Sequence, residues 1–435
     1  MRAGEVDDNR SIWIADQPPY EPSPALAGTV AADVAVVGGG FTGMSTAWHL
    51  ARRFPDRRII LLEARSIANG ASGRNGGQVL NWLNGVSSDQ PELARRIFDF
   101  TSGGIDLVEQ IARAHAPPGA FARDGCLEVR TSAARAEQAH ADVERLQSFG
   151  IPVRWLPAQE VGLAGAHGAV LDPTAGRVDG VALLRGWKPA LLAAGVAIHE
   201  ATPVLRVEEG RTVRLTTPSG EVRAAAVVLA TNAYTPSLGY FRDAILPLHS
   251  HVLATGVLSA ETWRAIGLDA CGGFSDDLDR IAYGCRSGAG RLVLGGGSNA
   301  AYAYHYGGAA VFHGSPGRSR AALRATLARY FPALAGSVPA ACWTGTLDIS
   351  FDRACSMGVT GAGGNVYYAL GYSGHGIALG MLAGRVLCDL YAGDHDAWRA
   401  FPFYQRRLPR IPPEPLRWLG YQAYTRLTGR SPRRR

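Results

Sequence analysis

The stretch from Asp33 to Glu63, DVAVVGGGFTGMSTAWHLARRFPDRRIILLE, restricts the fold more than any other part of the 435-residue chain. Val34, Val36 and Val37 read as a short buried strand, which stops abruptly at Gly38, Gly39 and Gly40. Met44, Ala47, Trp48 and Ala51 then recur at helical spacing, and Ile59 to Leu62 supply a second strand. The order is that of a βαβ unit. Gly38, Gly40 and Gly43 fit G-x-G-x-x-G, and Glu63 follows 20 residues after the last of them. Gly38 permits the tight turn, Gly40 lets backbone approach a pyrophosphate, and Gly43 lets the helix pack on the strand. Unpaired N–H groups at the helix start face the phosphates, and Glu63 can accept from both ribose hydroxyls. A bare glycine pattern is equally a surface turn. Strand, glycines, helix, strand and acid in this order point instead to a dinucleotide, and the acid favours FAD or NAD over NADP.

A chain of 435 residues can hold two domains with their own cores, and 47% hydrophobic with 19% charged residues is a globular composition. The net charge of +7 is modest for this length, and part of it sits in Arg433, Arg434 and Arg435. Such diffuse basicity argues against a nucleic-acid partner. The cysteines at 126, 271, 285, 342, 355 and 388 show no C-x-x-C spacing and no adjacent histidine cluster, so no metal site is expected. The polar N-terminus carries Asp7 and Asp8, and no apolar run reaches the roughly 18 residues of a membrane span. A cytoplasmic location is expected.

Residues 1–27, rich in proline and polar groups, read as an arm laid over the surface, with Trp13 and Tyr20 as anchors. Small residues dominate Ala68 to Gly77, leaving little side chain to obstruct a close backbone approach. Helical periodicity marks residues 91–115, 132–149, 183–194 and 318–330. Strands are expected at Cys126–Val129, Val196–His199 and Val204–Val207, and a hairpin at Arg211–Leu215 and Glu221–Arg223. Ala226 to Ala230 is a continuous apolar strand of the parallel kind, ending in Thr231 and Asn232, where open α/β sheets bind ligands. Residues 244–300 lose the helix alternation, with strands at Ile245–Leu248, Val252–Leu258 and Arg291–Leu294, which suggests a second, more antiparallel domain. Val366–Leu370 is another strand, Gly371–Gly376 a glycine-rich turn and Ile377–Tyr391 a helix. That is a second helix N-terminus suited to an anion. One protein with two such sites suits a flavin, which needs one at the pyrophosphate and one at the edge that becomes anionic on reduction.

These residues resemble the FAD-dependent amine and amino-acid oxidases of the glycine oxidase and D-amino-acid oxidase superfamily, and within it the γ-glutamylputrescine oxidoreductase group. The matching stretches are SIWIADQPP, VAVVGGGFTGMSTAWHLA, ASGRNGGQ, DPTAGRVDG, VVLATNAY, WTGTLDISFDRACSMG and NVYYALGYSGHGIALGMLAGR, spread over residues 11–393. The resemblance implies an α/β plus α+β fold: a Rossmann-type, p-hydroxybenzoate-hydroxylase-like FAD-binding domain and a mixed or antiparallel-sheet substrate domain. It divides the chain into an arm (1–27), a discontinuous FAD-binding domain (28–85, 150–238 and 346–395), a substrate domain (86–149 and 239–345) and a tail (396–435). Carried over residue by residue, Gly38, Gly40, Phe41, Thr42, Gly43, Glu63, Ala64 and Arg65 hold the ADP half. Ala71, Ser72, Arg74, Asn75, Gly76, Gly77 and Gln78 pass the pyrophosphate and reach the ring. Val204 meets the adenine, and Thr231 and Asn232 close the wall. Gly371, Tyr372, Ser373, Gly374, His375, Gly376 and Ile377 meet the pyrimidine end. Relatives that attach FAD covalently use a cysteine seven residues before the position of Asp352; Gly345 stands there, so non-covalent FAD is expected.

The implied reaction oxidises a CH–NH bond of a small amine to an imine that hydrolyses, with O2 or an unidentified partner taking the electrons. The alternatives are an α-amino-acid oxidase, an NAD-linked dehydrogenase and a flavin relay without turnover. No acid/base dyad is required. His251, His375 and Tyr372 are the catalytic candidates, His249 and His305 the weaker ones. Tyr302, Tyr304, Tyr306 and Trp82 could line the pocket, and Arg286, Arg291 or Arg353 could hold a substrate carboxylate. Lys188, the chain's one lysine, reads as a surface residue on an amphipathic helix; it lies in a different segment from the lysine that such relatives place over the flavin and that is tied to oxygen reactivity, so a dehydrogenase passing electrons elsewhere stays open. The tail from Leu416 onward could form a basic amphipathic helix making weak peripheral membrane contact, docking on its own protein being the preferred reading.

Overall fold

The computed structural model describes residues 9–85, 89–268, 271–314 and 317–428. Eight elements frame the site: β1 (Gly28–Val37), α1 (Phe41–Arg53), β2 (Ile59–Leu62), β3 (Gly220–Leu229), β4 (Ile245–Val257), β5 (Ala341–Ser350), β6 (Val366–Leu370) and α2 (Ala378–Ala392). β1 pairs in parallel with β2 on one edge and with β3 on the other, and β3 pairs in parallel with β6. The strand Ala197–His199 adds to β2 in parallel. Val34 to Val37, Ile59 to Leu62 and Ala226 to Leu229 are all buried, which is why they read as unbroken apolar runs. α1 packs directly on α2, where Ser45 Oγ donates to Met381 O (2.6 Å). Gly43 makes the approach of α1 to β1 feasible: a Cβ there would lie 1.8 Å from the Gly38 carbonyl oxygen.

Two expected strands fuse in each sheet. Glu221–Arg223 and Ala226–Ala230 are one strand, β3, because β1 pairs along it from Gly220 to Leu229 while the antiparallel strand Val213–Thr216 covers only its first half. Ile245–Leu248 and Val252–Leu258 are likewise one strand, β4, held straight by β5 from Ile245 to Ala254. β4 and β5 belong to a second, largely antiparallel sheet, of nine strands among the described residues, that also contains Cys126–Val129, Gly273–Asp276, Ala282–Arg286 and Arg291–Gly296. Arg154–Pro157 and Gly168–Asp172, from the stretch 150–238 expected with the first sheet, pair within the second. The strand expected at Val204–Val207 runs over Arg206–Glu208. The molecule therefore pairs an α/β layer with a mixed, largely antiparallel sheet, the two-part architecture that the resemblance implied.

Of three surface readings, that of Lys188 changes. The arm runs over the surface from Ala15 to Ala25, exposed or half-buried throughout, and its start is anchored inside: Ile12 and Trp13 are 4% and 3% exposed, and Ser11 caps the short helix Ile12–Ala15. The Ser11 hydroxyl donates to Gly73 O (2.5 Å) and Trp13 Nε1 to Asn75 O (2.9 Å), so the arm buttresses the small-residue loop from below. Lys188 is buried, its Nζ 2.7 Å from Glu200 Oε2, because Tyr20 of the arm covers it. The tail forms the helix Leu416–Thr428, which docks on its own protein through Tyr424 OH to Asp279 Oδ1 (2.6 Å) and Asn299 Nδ2 to Thr425 O (2.6 Å). The final arginines, 433–435, lie outside the described residues.

Candidate functional site

The C-terminal ends of β1, β2, β3 and β6 open onto one cavity of ≈ 1470 Å³, and Val37, Leu62, Ala230 and Tyr372 stand on its wall. This is where an open parallel sheet binds its ligand. Gly38, Gly40, Phe41 and Thr42 line it at the start of α1, with Glu63 and Ala64 beyond β2. Glu63 is buried, and its oxygens accept from Gly39 N (2.7 Å) and Arg65 N (3.0 Å). Burial raises its pKa against those donors. Each carboxylate oxygen has capacity for a further hydrogen bond.

The loop after Glu63 forms the next wall. Ala71, Ser72, Arg74, Asn75, Gly76 and Gln78 line the cavity. Ser72 Oγ accepts from Phe41 N (3.1 Å), tying the loop to the first turn of α1. Arg74, only 2% exposed, donates from Nε and Nη2 to Asn9 O at 3.1 and 2.9 Å. Gln78 reaches the second sheet through Phe274 O (2.8 Å). Val204, Thr231, Asn232 and Gly345 also line the cavity. Gly43, Arg65, Gly77 and Gly371 do not line it; they support it. A Cβ on Gly77 (φ 81°) would lie 2.7 Å from Cys285 Sγ and 3.0 Å from the Trp13 ring, and Arg65 N holds Glu63.

At the other end Tyr372, Ser373, Gly374, His375, Gly376 and Ile377 line the cavity ahead of α2. Tyr372 OH meets Thr42 Oγ1 (2.8 Å), joining the two glycine turns. His251 does not join them. It is 3% exposed, with Nδ1 2.9 Å from Thr344 Oγ1 and its ring 4.6 Å from that of Phe312, and burial lowers its pKa to about 4. His249 and His305 pack on the same Phe312 and also stand off the wall. Trp82 and Tyr302 line the cavity, whereas Tyr304 bonds Glu414 and Tyr306 is exposed. Arg353 lines it beside Asp279 (3.2 Å); Arg286 lies over Trp263 and Arg291 pairs with Asp16.

Sequence reasoning missed three wall residues. Asp348, on β5, is 2% exposed; its Oδ2 accepts from Gly371 N (2.6 Å) and Tyr372 N (3.3 Å). Asn84 contacts His375 and Ser373, and Tyr283 OH meets Ser250 Oγ (2.9 Å). The one available signal was an acid inside the apolar strand pattern WTGTLDIS. Trp82, Asn232, Arg353 and Ser373 on the wall all have positive φ, at 85°, 46°, 64° and 50°. Such backbone persists only where surrounding structure over-determines it, and it clusters at functional sites.

These residues fit an adenine dinucleotide. A Cβ on Gly38 would lie 2.5 Å from Ala230 O and one on Gly40 2.6 Å from Ser72 Oγ, so the cradle admits backbone alone. Asn232 Oδ1, on the wall, is buried with no hydrogen-bond partner among the described residues.

A family profile described as FAD dependent oxidoreductase matches residues 33–390. The chain belongs to this family. FAD is its cofactor, and it is an oxidoreductase. Gamma-glutamylputrescine oxidoreductase of Escherichia coli (strain K12) is 28% identical, over 94% of this chain and 96% of that protein. A probable oxidoreductase OrdL of Rhizobium meliloti (strain 1021) is 29% identical over 85% of each. Among solved structures, glycine oxidase from Geobacillus kaustophilus superposes with a TM-score of 0.72 at 21% identity, over 87% of this chain and 99% of that one. L-amino acid deaminase from Proteus myxofaciens gives 0.71 at 16%, over 92% and 97%. These two likenesses show the fold. Among the described residues no helix is long and apolar enough to cross a membrane.

Proposed function

We propose that this protein oxidises the CH–NH bond of a small primary or secondary amine, of the γ-glutamylputrescine kind, to an imine that hydrolyses to an aldehyde plus ammonia or a smaller amine, with O2 accepting the electrons. The observation that carries the reading is the single cavity joining the glycine cradle to a wall of Trp82, Tyr283, Tyr302 and Tyr372. Bound FAD supplies acceptance of a hydride from the carbon beside the amine nitrogen. In this reading Gly38, Gly40, Phe41, Thr42 and Glu63 hold the ADP half, while Ser72 to Gln78 follow the pyrophosphate. The Gly371–Ile377 turn takes the pyrimidine end. The N-terminus of α2 favours negative charge there. The aromatic wall binds the amine in its neutral form and keeps water away. FAD is held without a covalent bond in this reading: Gly345 offers no sulfur, Cys342 and Cys355 do not line the cavity, and Cys126, which does, accepts from Gln78 Nε2 with burial holding its thiol protonated. Six cysteines that form no disulfide among the described residues support a cytoplasmic setting. The three-piece FAD-binding domain belongs to the same proposal.

Arg353 on the wall favours one second reading, an α-amino-acid substrate held through its carboxylate. Electron transfer to a partner protein is a further alternative, since Lys188 is committed to Glu200 and not to the cavity. The test is anaerobic bleaching of the flavin by diamines, γ-glutamylated amines, N-methyl amines and amino acids, followed by air. Bleaching by an amine with rapid reoxidation is expected. Bleaching by amino acids alone selects the second reading, slow reoxidation selects a partner, and no bleaching by any of them rejects the amine reading.

A further inference from the structure

Asn84 lies in the turn that follows the strained Trp82, and its Nδ2 stands 2.7 Å from His375 Nδ1 and 3.2 Å from Ser373 O. A carbonyl oxygen can only accept, so the end of the amide that faces Ser373 must be the NH2 group. The reversed amide would set two oxygens against each other. With that end fixed, the short contact to His375 runs from an NH2 donor to a ring nitrogen. Two donors cannot share it, so Nδ1 must carry its lone pair, and the hydrogen of the neutral ring sits on Nε2. We infer that Asn84 is a positioning residue that holds His375 as the neutral Nε2–H tautomer.

Both partners are pinned. Gly85 (φ 72°) would place a Cβ 2.8 Å from Asp352 O, so the turn is wedged against the β5 exit. Trp82 N donates to Asn81 Oδ1 (2.9 Å) and Thr101 Oγ1 (3.1 Å), which fixes the approach to that turn. His375 N donates to Tyr372 O (3.0 Å), and Ser373 keeps its positive φ. The inference rests on the proposed function for its consequence. His375, on the cavity wall, is a hydrogen-bond donor through Nε2 and not the base that takes the proton of a substrate ammonium, because its lone pair is engaged by Asn84.

The test is a long-range 1H–15N spectrum of the holoenzyme labelled on its histidines, with His375 assigned by the signals that vanish in His375→Gln. The wild-type ring should show a protonated Nε2 and an unprotonated Nδ1. Asn84→Asp replaces the donor with an acceptor and should put a proton on Nδ1. The same variant should slow flavin reduction by the best amine about tenfold while its binding stays within about twofold, the loss of one correctly placed hydrogen bond. Asn84→Ser, too short to reach the ring, should give signals averaged over both tautomers. A protonated Nδ1 in the wild type, or His375 shifts identical in wild type and Asn84→Asp, would overturn the inference. The spectra decide this whether or not any amine bleaches the flavin, so they fail separately from the proposed reaction.

Discussion

Lys188 and Glu200 show how one buried charge pair anchors a distant segment. Glu200 has no exposed surface, and its carboxylate accepts from Lys188 Nζ (2.7 Å), Tyr20 OH (2.9 Å), Ser23 N (2.6 Å) and Ile67 N (2.7 Å). The arm, the small-residue loop and the helix Gly180–Ala193 thus meet at one acid. Removing one partner of a buried pair leaves an uncompensated charge, which costs about 3–5 kcal/mol. Lys188→Met should therefore lower the urea midpoint of the holoenzyme strongly, and Lys188→Met with Glu200→Gln should recover much of the loss. A single variant costing less than about 1 kcal/mol would mean that Glu200 does not depend on the lysine. No local pattern marks this pair. Helical spacing places Lys188 on a helix but says nothing of Tyr20, which closes over it from 168 positions away.

At the scale of elements, β5 and the turn before α2 are coupled through Asp348. Its side chain holds the N–H groups of Gly371 and Tyr372, so the strand from the second sheet shapes a turn at the end of the first. Burial raises its pKa from 3.8 to about 7, against the pull of those donors. A carboxyl whose pKa rises on folding binds protons more tightly in the folded chain. It costs stability above its folded pKa and nothing below its unfolded one. The contribution of Asp348 should thus fall away as pH rises from 3.8 to about 7 and level off beyond, an effect on the order of a few kcal/mol. Asp348→Asn cannot titrate and can still accept from the turn. Denaturation midpoints at pH 5 and pH 8 should therefore lie closer together in the variant. An unchanged separation would assign the dependence to Asp179 and Asp276, both raised to about 6. The strand, the glycine turn and α2 were each legible, because apolar period and glycines are local signals. The coupling between them was not, since a side chain reaching backbone 23 residues away leaves no periodic trace.

For the whole molecule, the order of the motifs was legible from the glycine cradle to α2, and with it the fold. Less legible was what covers the cavity. The helix Leu416–Thr428 has no buried residue, and Leu427 is 84% exposed, yet Tyr424, Leu427 and Thr428 lie on the cavity wall. Its amphipathic pattern is too weak to show which face docks, and its anchors are scattered polar and ring contacts. Tyr424 bonds Asp279, which also pairs with Arg353 (3.2 Å), and the Arg280 guanidinium lies 4.9 Å from the centre of the Tyr424 ring. Arg417 Nη2 donates to Arg242 O (2.9 Å) at the other end. A helix attached in this way adds little to stability but narrows the way in. A chain ending at Pro415 should keep its flavin absorption and unfold within about 1 kcal/mol of the full protein, as expected for removal of exposed groups. Its flavin should be quenched more readily by iodide, and the amine concentration for half-maximal rate should change while the maximal rate holds. Loss of flavin on truncation would make the helix part of the fold. Unchanged quenching would remove it from the entrance, leaving Trp82 and Arg353 as the groups that decide which amines pass.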